Sequence, residues 1–331
     1  MAHALRDRRG PPLLDLIDLK TYFFTRDGVV RAVDGVSFQM HHGETLGIVG
    51  ESGSGKTMTA LSIMRLVPAP PGRIVGGRIM FQGNDLLQLR EAQMCHVRGR
   101  DIALVFQDPM TAFDPLYRIG EQIEEAIEWH LRLDRKARRA RCIAALERVG
   151  IPAAPERARA YPHEFSGGMI QRAMIAMALA CEPKLLIADE PTTALDVTME
   201  AQIVDLLRDL QRDTGMGLIY VTHNMGVVAR IAHRVAVMYA GTLVETAPTK
   251  TLFGTPKHPY TLGLMRSVPR VDGDLSERLQ AIEGLPPDLI DMPDACPFAP
   301  RCPFVMARCW DERPQLRMVG EDHHIACFAD V

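Results

Sequence analysis

A glycine-rich loop between an apolar strand and an apolar helix limits the possible fold of this chain more than any other feature. Residues 46–49 predict a buried parallel strand, and residues 50–57 follow with the pattern GxxxxGK[ST]. In such a loop the backbone N–H groups surround phosphate oxygens, and the next helix points its positive end at the same anion. The flanking strand and helix favour this interpretation over a non-catalytic glycine turn.

The loop carries groups that suit a nucleotide and its metal. Lys56 is expected to reach the β- and γ-phosphates, and Thr57 offers a hydroxyl to magnesium. The predicted nucleotide-binding residues are Gly50, Glu51, Ser52, Gly53, Ser54, Gly55, Lys56 and Thr57.

Two adjacent carboxylates end a second apolar strand at residues 185–188. Asp189 is expected to hold magnesium through water, and Glu190 to orient or deprotonate the attacking water. A helix-capping acid pair is the alternative. Hydrolysis needs a water-positioning group besides the metal ligand, and the second carboxylate supplies one.

A serine-diglycine turn lies between the loop and the acids. Ser166 is placed to cap the following helix, while Gly167 and Gly168 each cost about 1 kcal/mol relative to alanine in a helix. Capping alone explains the serine but not the two glycines.

With loop, turn and acids in this order, the chain resembles the ATP-binding subunit of an ABC transporter. The resemblance implies that ATP is sandwiched between two subunits, with the serine-diglycine turn facing the partner's nucleotide. It further implies that Ser166, Gly167, Gly168 and Met169 form the signature turn and that Asp196 ends the D-loop. Gln107 is then the Q-loop residue that contacts magnesium and water, and His223 is the switch residue at the γ-phosphate. Tyr22 or Phe23 is expected to stack on adenine.

The order of predicted elements fits an α/β fold. Strands and helices alternate through residues 185–232, a hairpin is predicted around Gly241, and residues 119–150 have a helical period. With the resemblance, the expected fold is a P-loop ABC ATPase with an antiparallel β subdomain and an inserted helical subdomain at about 108–180. The ATP-binding domain is expected over residues 12–255, and a proline-dense, loop-rich extension over 256–331.

Three segments narrow the resemblance to the oligopeptide/dipeptide importer branch, and to its "D"-type subunit. They are residues 32–38, 188–198 and 258–261. The branch implies a second ATPase in a heterodimer, two permeases, a binding protein outside the cytoplasm, and a peripheral position on the cytoplasmic face of the inner membrane. A nickel or glutathione importer is the alternative within the branch, and a soluble non-transport ABC ATPase the alternative outside it.

Four cysteines cluster in the extension. They suit a tetrahedral zinc or an iron–sulfur cluster, although unligated buried thiols are an open alternative. Because some relatives carry a [4Fe–4S] cluster here, the resemblance favours the cluster over zinc. His323 and His324 are possible substitute ligands that are expected to be exposed. The predicted ligands are Cys296, Cys302, Cys309 and Cys327.

Charge and hydropathy argue against two other classes of protein. The net charge is -3, and the basic run at residues 132–141 is interleaved with acids, so a nucleic-acid partner is not expected. No apolar run is long enough for a membrane-spanning helix, and the first ten residues have no apolar signal core, so contact with a membrane is expected through partners.

Overall fold

A computed structural model describes residues 10–193, 196–267, 282–290, 292–329 and 331. The chain divides into two compact units. One joins the described residues up to 87 with those from 220 to 331, and the other is Gln88–Ile219.

The strands are β1 (Leu14–Phe24), β2 (Val29–Met40), β3 (Thr45–Val49), β4 (Gly72–Phe81), β5 (Asn84–Asp85), β6 (Ile102–Val105), β7 (Leu185–Asp189), β8 (Gly217–Thr222), β9 (Arg234–Tyr239), β10 (Thr242–Pro248), β11 (Arg317–Gly320) and β12 (His323–Ile325). The α-helices are α1 (Lys56–Ile63), α2 (Glu91–Val97), α3 (Ile119–His130), α4 (Arg135–Arg148), α5 (Ala154–Arg157), α6 (Gly167–Leu179), α7 (Val197–Thr214), α8 (Met225–Ile231), α9 (Thr249–Gly254) and α10 (Pro259–Arg266).

The first unit contains an antiparallel sheet in which β1 lies between β2 and β4. Leu14 pairs with Met40 on one side and Phe81 on the other, and all three side chains are buried. Burying such side chains contributes about 1.5–3 kcal/mol each relative to leaving them exposed. This sheet is the predicted antiparallel β subdomain.

The same unit contains the strand that leads into the glycine-rich loop. Strand β3 is wholly buried and runs parallel to β9. Strands β9 and β10 form the predicted hairpin, with Thr242 opposite Tyr239 across Gly241. Two short strands of the extension continue this antiparallel pairing, because β12 pairs with β10 and β11 with β12.

The second unit packs helices beside a pair of parallel strands, β6 and β7. Helices α3, α4 and α6 contact one another. The helical period over residues 119–150 corresponds to two helices, because residues 131–134 are not helical and separate α3 from α4. Asp134 then caps α4 by accepting a hydrogen bond from the Ala137 N–H at 2.8 Å.

No helix in the described part of the chain combines the length and apolar character needed to cross a bilayer.

Candidate functional site

The glycine-rich loop, residues 50–57, connects β3 to α1 in a conformation that requires glycine. Gly55 has φ 99°, and a Cβ there would lie 2.3 Å from the carbonyl oxygen of Ala32. A Cβ on Gly50 would lie 2.2 Å from the carbonyl oxygen of Met238. Side chains at these two positions would collide with fixed backbone, so the loop keeps its close turn only with glycine.

Lys56 is held inside this loop. Its Nζ donates to the carbonyl oxygens of Gly50 and Glu51, each at 2.9 Å, and the residue is 4% exposed. Thr57 is exposed at the start of α1. The arrangement places a cation and a hydroxyl together at the N-terminus of a helix, where an anion is favoured.

Glu51 was predicted to bind nucleotide, but its polar groups contact the extension. Its carboxylate accepts hydrogen bonds from Arg301 at 2.6 and 3.0 Å, and its N–H donates to the hydroxyl of Tyr260 at 2.8 Å. No pattern in the sequence indicates Arg301 and Tyr260 as partners of Glu51, since they lie 250 and 209 residues away along the chain.

In the second unit, the two carboxylates lie at the end of β7. Asp189 is 6% exposed, and Glu190 follows with φ 46°, in the left-handed region. That region costs an L-residue roughly 1–2 kcal/mol, and such strain concentrates at functional sites. The Glu190 Oε2 accepts a hydrogen bond from the Thr193 hydroxyl at 2.9 Å and lies 3.5 Å from Nε2 of Gln107. The structure therefore brings Gln107 and Glu190 together.

The serine-diglycine turn begins α6. Ser166 is the N-cap residue of this helix, as predicted, but its side chain makes no capping hydrogen bond. Its carbonyl oxygen accepts from the Ile170 N–H, and the side chain is exposed. Gly167 is exposed, Gly168 is buried and Met169 is half-buried. The helix therefore presents its N-terminus and an uncommitted hydroxyl to solvent.

His223 follows β8 and is exposed. The next residue, Asn224, caps α8 by accepting hydrogen bonds from the N–H groups of Gly226 and Val227 at 3.0 and 3.4 Å. Asp196 caps α7 and accepts from the Met199 N–H at 2.9 Å. The other two D-loop positions, 194 and 195, lie outside the described residues.

The candidate adenine-stacking residues are at the end of β1. The Tyr22 hydroxyl donates to Asp34 at 2.7 Å, and burial together with this bond raises the pKa of Tyr22 to about 12. Phe23 packs beside Gly72. Phe24, which was not among the predicted residues, is 47% exposed and has the guanidinium of Arg73 at 5.8 Å from its ring centre. Phe24 therefore joins Tyr22 and Phe23 as a candidate.

The four clustered cysteines line one apolar cavity together with Phe298, Phe304 and Phe328. Burial raises the pKa of Cys296 to about 11 and also raises those of Cys302 and Cys327. In the described part of the chain, no three His, Cys, Asp or Glu side chains are placed to hold a metal ion. The predicted metal centre therefore has no support from the side-chain arrangement.

His323 is buried rather than exposed, which corrects the expectation for this residue. Its Nε2 lies 2.7 Å from Oε1 of Glu245, which is itself fully buried. The pair joins β12 to β10.

Comparison with known proteins decides the family. The family described as "ABC transporter" matches residues 33–193, and the family "Oligopeptide/dipeptide transporter, C-terminal region" matches residues 244–309. A putative peptide import ATP-binding protein of Brucella ovis is 50% identical over 328 residues, covering 96% of this chain and 97% of its own. The chain belongs to the oligopeptide/dipeptide branch of the ABC transporter ATP-binding proteins. It is an ATPase of the kind whose ATP hydrolysis drives transport.

Other relatives of this ABC ATPase agree with that assignment. The oligopeptide transport ATP-binding protein OppD of Bacillus subtilis is 49% identical, covering 95% of this chain and 87% of its own. The dipeptide transport ATP-binding protein DppD of the same organism is 49% identical, covering 96% of this chain and 94% of its own.

Solved structures support the predicted fold class. A dimeric ATP-binding cassette in a post-hydrolysis state, bound to ADP and Pi, is similar with a TM-score of 0.64 and 26% identity, covering 71% of this chain and 98% of its own. The cbiO1 protein of Clostridium perfringens, part of an ABC transporter complex, also gives a TM-score of 0.64 at 26% identity. The match covers 74% of this chain and 92% of cbiO1. The chain therefore has the P-loop ABC ATPase fold.

Proposed function

We propose that this chain is the ATP-hydrolysing subunit of an ABC importer for di- or oligopeptides. The observation that carries the proposal is the combination of a glycine-rich phosphate loop with an extension that matches the oligopeptide/dipeptide transporter C-terminal region. In functional terms, residues 12–255 form the ATP-binding domain and residues 256–331 the extension.

In this proposal the loop binds the phosphates of ATP. Lys56 moves from its backbone acceptors to the β- and γ-phosphates, and the loop N–H groups bind the remaining oxygens. Thr57, Asp189 and Gln107 hold magnesium, directly or through water. The support is local: Thr57 is exposed beside Lys56 at the helix N-terminus, and Asp189 ends a buried strand.

Glu190 acts as the base that accepts a proton from the attacking water, with Gln107 beside it and His223 at the γ-phosphate. Its left-handed backbone and the bond from Thr193 fix the direction of the carboxylate. A positioned base of this kind contributes about 10²–10⁴-fold to a rate.

The serine-diglycine turn serves the nucleotide of a partner ATPase. Its support is the exposed N-terminus of α6, with the Ser166 hydroxyl not used in capping and Gly167 open to solvent. Such a helix end favours a phosphate. Two ATPase subunits would close on two ATP molecules and reopen after hydrolysis. A second, related ATPase is the proposed partner.

Two permeases and a binding protein complete the proposed importer, with this chain on the cytoplasmic face of the membrane. The segment that follows Gln107 is the proposed permease contact. It carries large exposed apolar side chains, as interaction surfaces do. These are Met110, Leu116 and Tyr117.

Uptake measurements test the importer and its cargo. Deleting the gene for this protein should abolish cellular uptake of labelled di- and oligopeptides. Expression of the wild-type protein should restore the uptake, whereas expression of the Lys56→Ala variant should not. If the deletion leaves peptide uptake unchanged but abolishes nickel or glutathione uptake, the protein would instead be the ATPase of a nickel or glutathione importer. Unchanged uptake of all three would contradict an importer of this branch.

We also propose that the four cysteines hold a [4Fe–4S] cluster. Their thiols line one apolar cavity, so four potential thiolate ligands surround the same part of the extension. A zinc ion held by the same four cysteines is the alternative. When bound, the cluster would cross-link the turns of the extension. Anaerobic purification should give a brown protein, and a colourless protein free of iron would overturn the cluster.

A further inference from the structure

Arg301 of the extension is bound by a complete set of acceptors. Its Nε donates to the carbonyl oxygen of Glu283 at 3.0 Å, and its two terminal nitrogens donate to the carboxylate oxygens of Glu51 at 2.6 and 3.0 Å. The same nitrogens reach the hydroxyl of Tyr239 and the carbonyl oxygen of Ile282, each at 3.3 Å. A guanidinium has five N–H donors in a fixed fork. Five acceptors surround it, so the site fits arginine and does not fit lysine.

This ion pair is sheltered from water. The Arg301 side chain is 4% exposed and that of Glu51 is 27% exposed. The hydrogen bond to Glu51 raises the pKa of Arg301 further above its already high value, so the guanidinium stays charged at every physiological pH. A sheltered, bidentate pair of this kind fixes the position of both groups more firmly than an exposed pair.

A second contact from the extension holds the backbone of Glu51. The hydroxyl of Tyr260 accepts from the Glu51 N–H at 2.8 Å. The Tyr260 ring is fully buried and packs against Tyr239 and Phe298, with ring centres 4.6 and 5.4 Å apart. Glu51 is therefore held at both its side chain and its amide by residues that follow position 255.

Glu51 also joins these contacts to the lysine of the loop. Its carbonyl oxygen accepts a hydrogen bond from Lys56 Nζ at 2.9 Å. A shift of the Glu51 peptide would thus move one of the carbonyl oxygens that hold the lysine. Pro286, Pro287 and Leu289 of the extension line a small pocket with residues 51–54, so the extension also contacts the tip of the loop.

We propose that Arg301 is a positioning residue for ATP binding: it holds Glu51, and with it the first turn of the loop, in the conformation that accepts phosphate. Arg301 does not touch the nucleotide, and its effect passes through Glu51. The proposal rests on ATP binding at this loop. It gives the extension a role in the nucleotide site of its own chain.

The test compares affinities for a fluorescent ATP analogue with Mg²⁺ on the full-length chain. Arg301→Ala should raise the Kd roughly tenfold, as losses of supporting residues do, and Arg301→Lys should raise it nearly as much. Arg308→Ala is the matched control. Arg308 lies in the same extension, pairs with the exposed Glu312 at 3.1 Å, and should leave the Kd unchanged.

A double-mutant cycle separates positioning from loss of structure. If Arg301 acts through Glu51, adding Glu51→Gln to Arg301→Ala should raise the Kd little further. If Arg301→Ala fails to fold, the same cycle is measured with Arg301→Lys in its place, alone and combined with Glu51→Gln. Folded Arg301 variants whose Kd stays within about twofold of the wild-type value would overturn the proposal, even if their melting temperatures fall. A wild-type chain that binds no ATP would overturn the proposed function as well.

Discussion

The side-chain amide of Gln107 lies 3.5 Å from Oε2 of Glu190, the same oxygen that accepts a hydrogen bond from the Thr193 hydroxyl at 2.9 Å. Glu190 follows a buried strand with φ 46°, so its backbone direction is fixed as well. A carboxylate oriented in this way suits a base that takes a proton from water.

Glu190→Gln should lower the rate of ATP hydrolysis by about 10²-fold or more, because the amide cannot accept the proton. ATP binding should persist, since the shape of the side chain is kept. Turnover and Kd are measured on the same preparation. Glu182→Gln is the control, because Glu182 is an exposed carboxylate of the same unit that pairs with Arg141. Equal turnover in Glu190→Gln and wild type would exclude Glu190 as the base.

Lys56→Ala should weaken ATP binding by about 2–3 kcal/mol, because a charged donor to the phosphates is lost. The measurement is titration with the fluorescent nucleotide. Lys250→Ala removes an exposed lysine of α9 and should bind as the wild-type chain does. If Lys56→Ala retains wild-type affinity, the loop does not bind the phosphates as proposed.

Gly167→Ala tests whether the serine-diglycine turn serves a partner's nucleotide. A Cβ at this position would meet nothing within 4 Å in the chain itself, so folding and melting temperature should be unaffected. In the proposed pair of ATPase subunits, the added methyl would intrude on the partner's nucleotide. Turnover should then fall about 10²- to 10³-fold, the scale of losing one donor to a reacting group. Gly254→Ala, at a site that is also open within 4 Å, should keep full activity. Undiminished turnover in Gly167→Ala would count against the shared site.

His258 should make the fold sensitive to acid. Burial lowers the pKa of His258 from 6.5 to about 4, and its Nδ1 accepts the Tyr260 N–H at 3.1 Å, which requires the neutral ring. The unfolded chain binds this proton more tightly. The stability from the neutral ring is therefore complete above pH 6.5 and is lost as the pH falls towards 4, by roughly 3 kcal/mol in total.

Urea unfolding midpoints at several pH values between 7.5 and 4 measure this dependence. His258→Asn should flatten the curve, since asparagine caps a helix without titrating in this range. His324→Asn, in β12, should keep the wild-type slope. A His258→Asn curve as steep as that of the wild-type chain would show that the acid sensitivity arises elsewhere.

Much of the fold, and the position of several residues of the candidate site, could be predicted from short stretches of sequence. The apolar run before the loop predicted β3, Gly241 predicted the hairpin of β9 and β10, and the acidic strand end predicted the position of Asp189. These features depend on neighbouring residues, whose periodicity and turn chemistry are readable along the chain. The break between α3 and α4 was missed because Asp134, a helix cap, lies within a run that otherwise has a helical period.

The family, the glycine-rich loop and the strand that leads into it can therefore be predicted from the sequence, since their signals lie in short contiguous motifs. The folded structure was needed to show that Arg301 and Tyr260 hold Glu51, that His323 is buried against Glu245, and that the Ser166 side chain makes no capping hydrogen bond. The physical reason is that such contacts join residues far apart in the chain. Burial and hydrogen-bond partners at those positions are set by packing, which local periodicity does not encode.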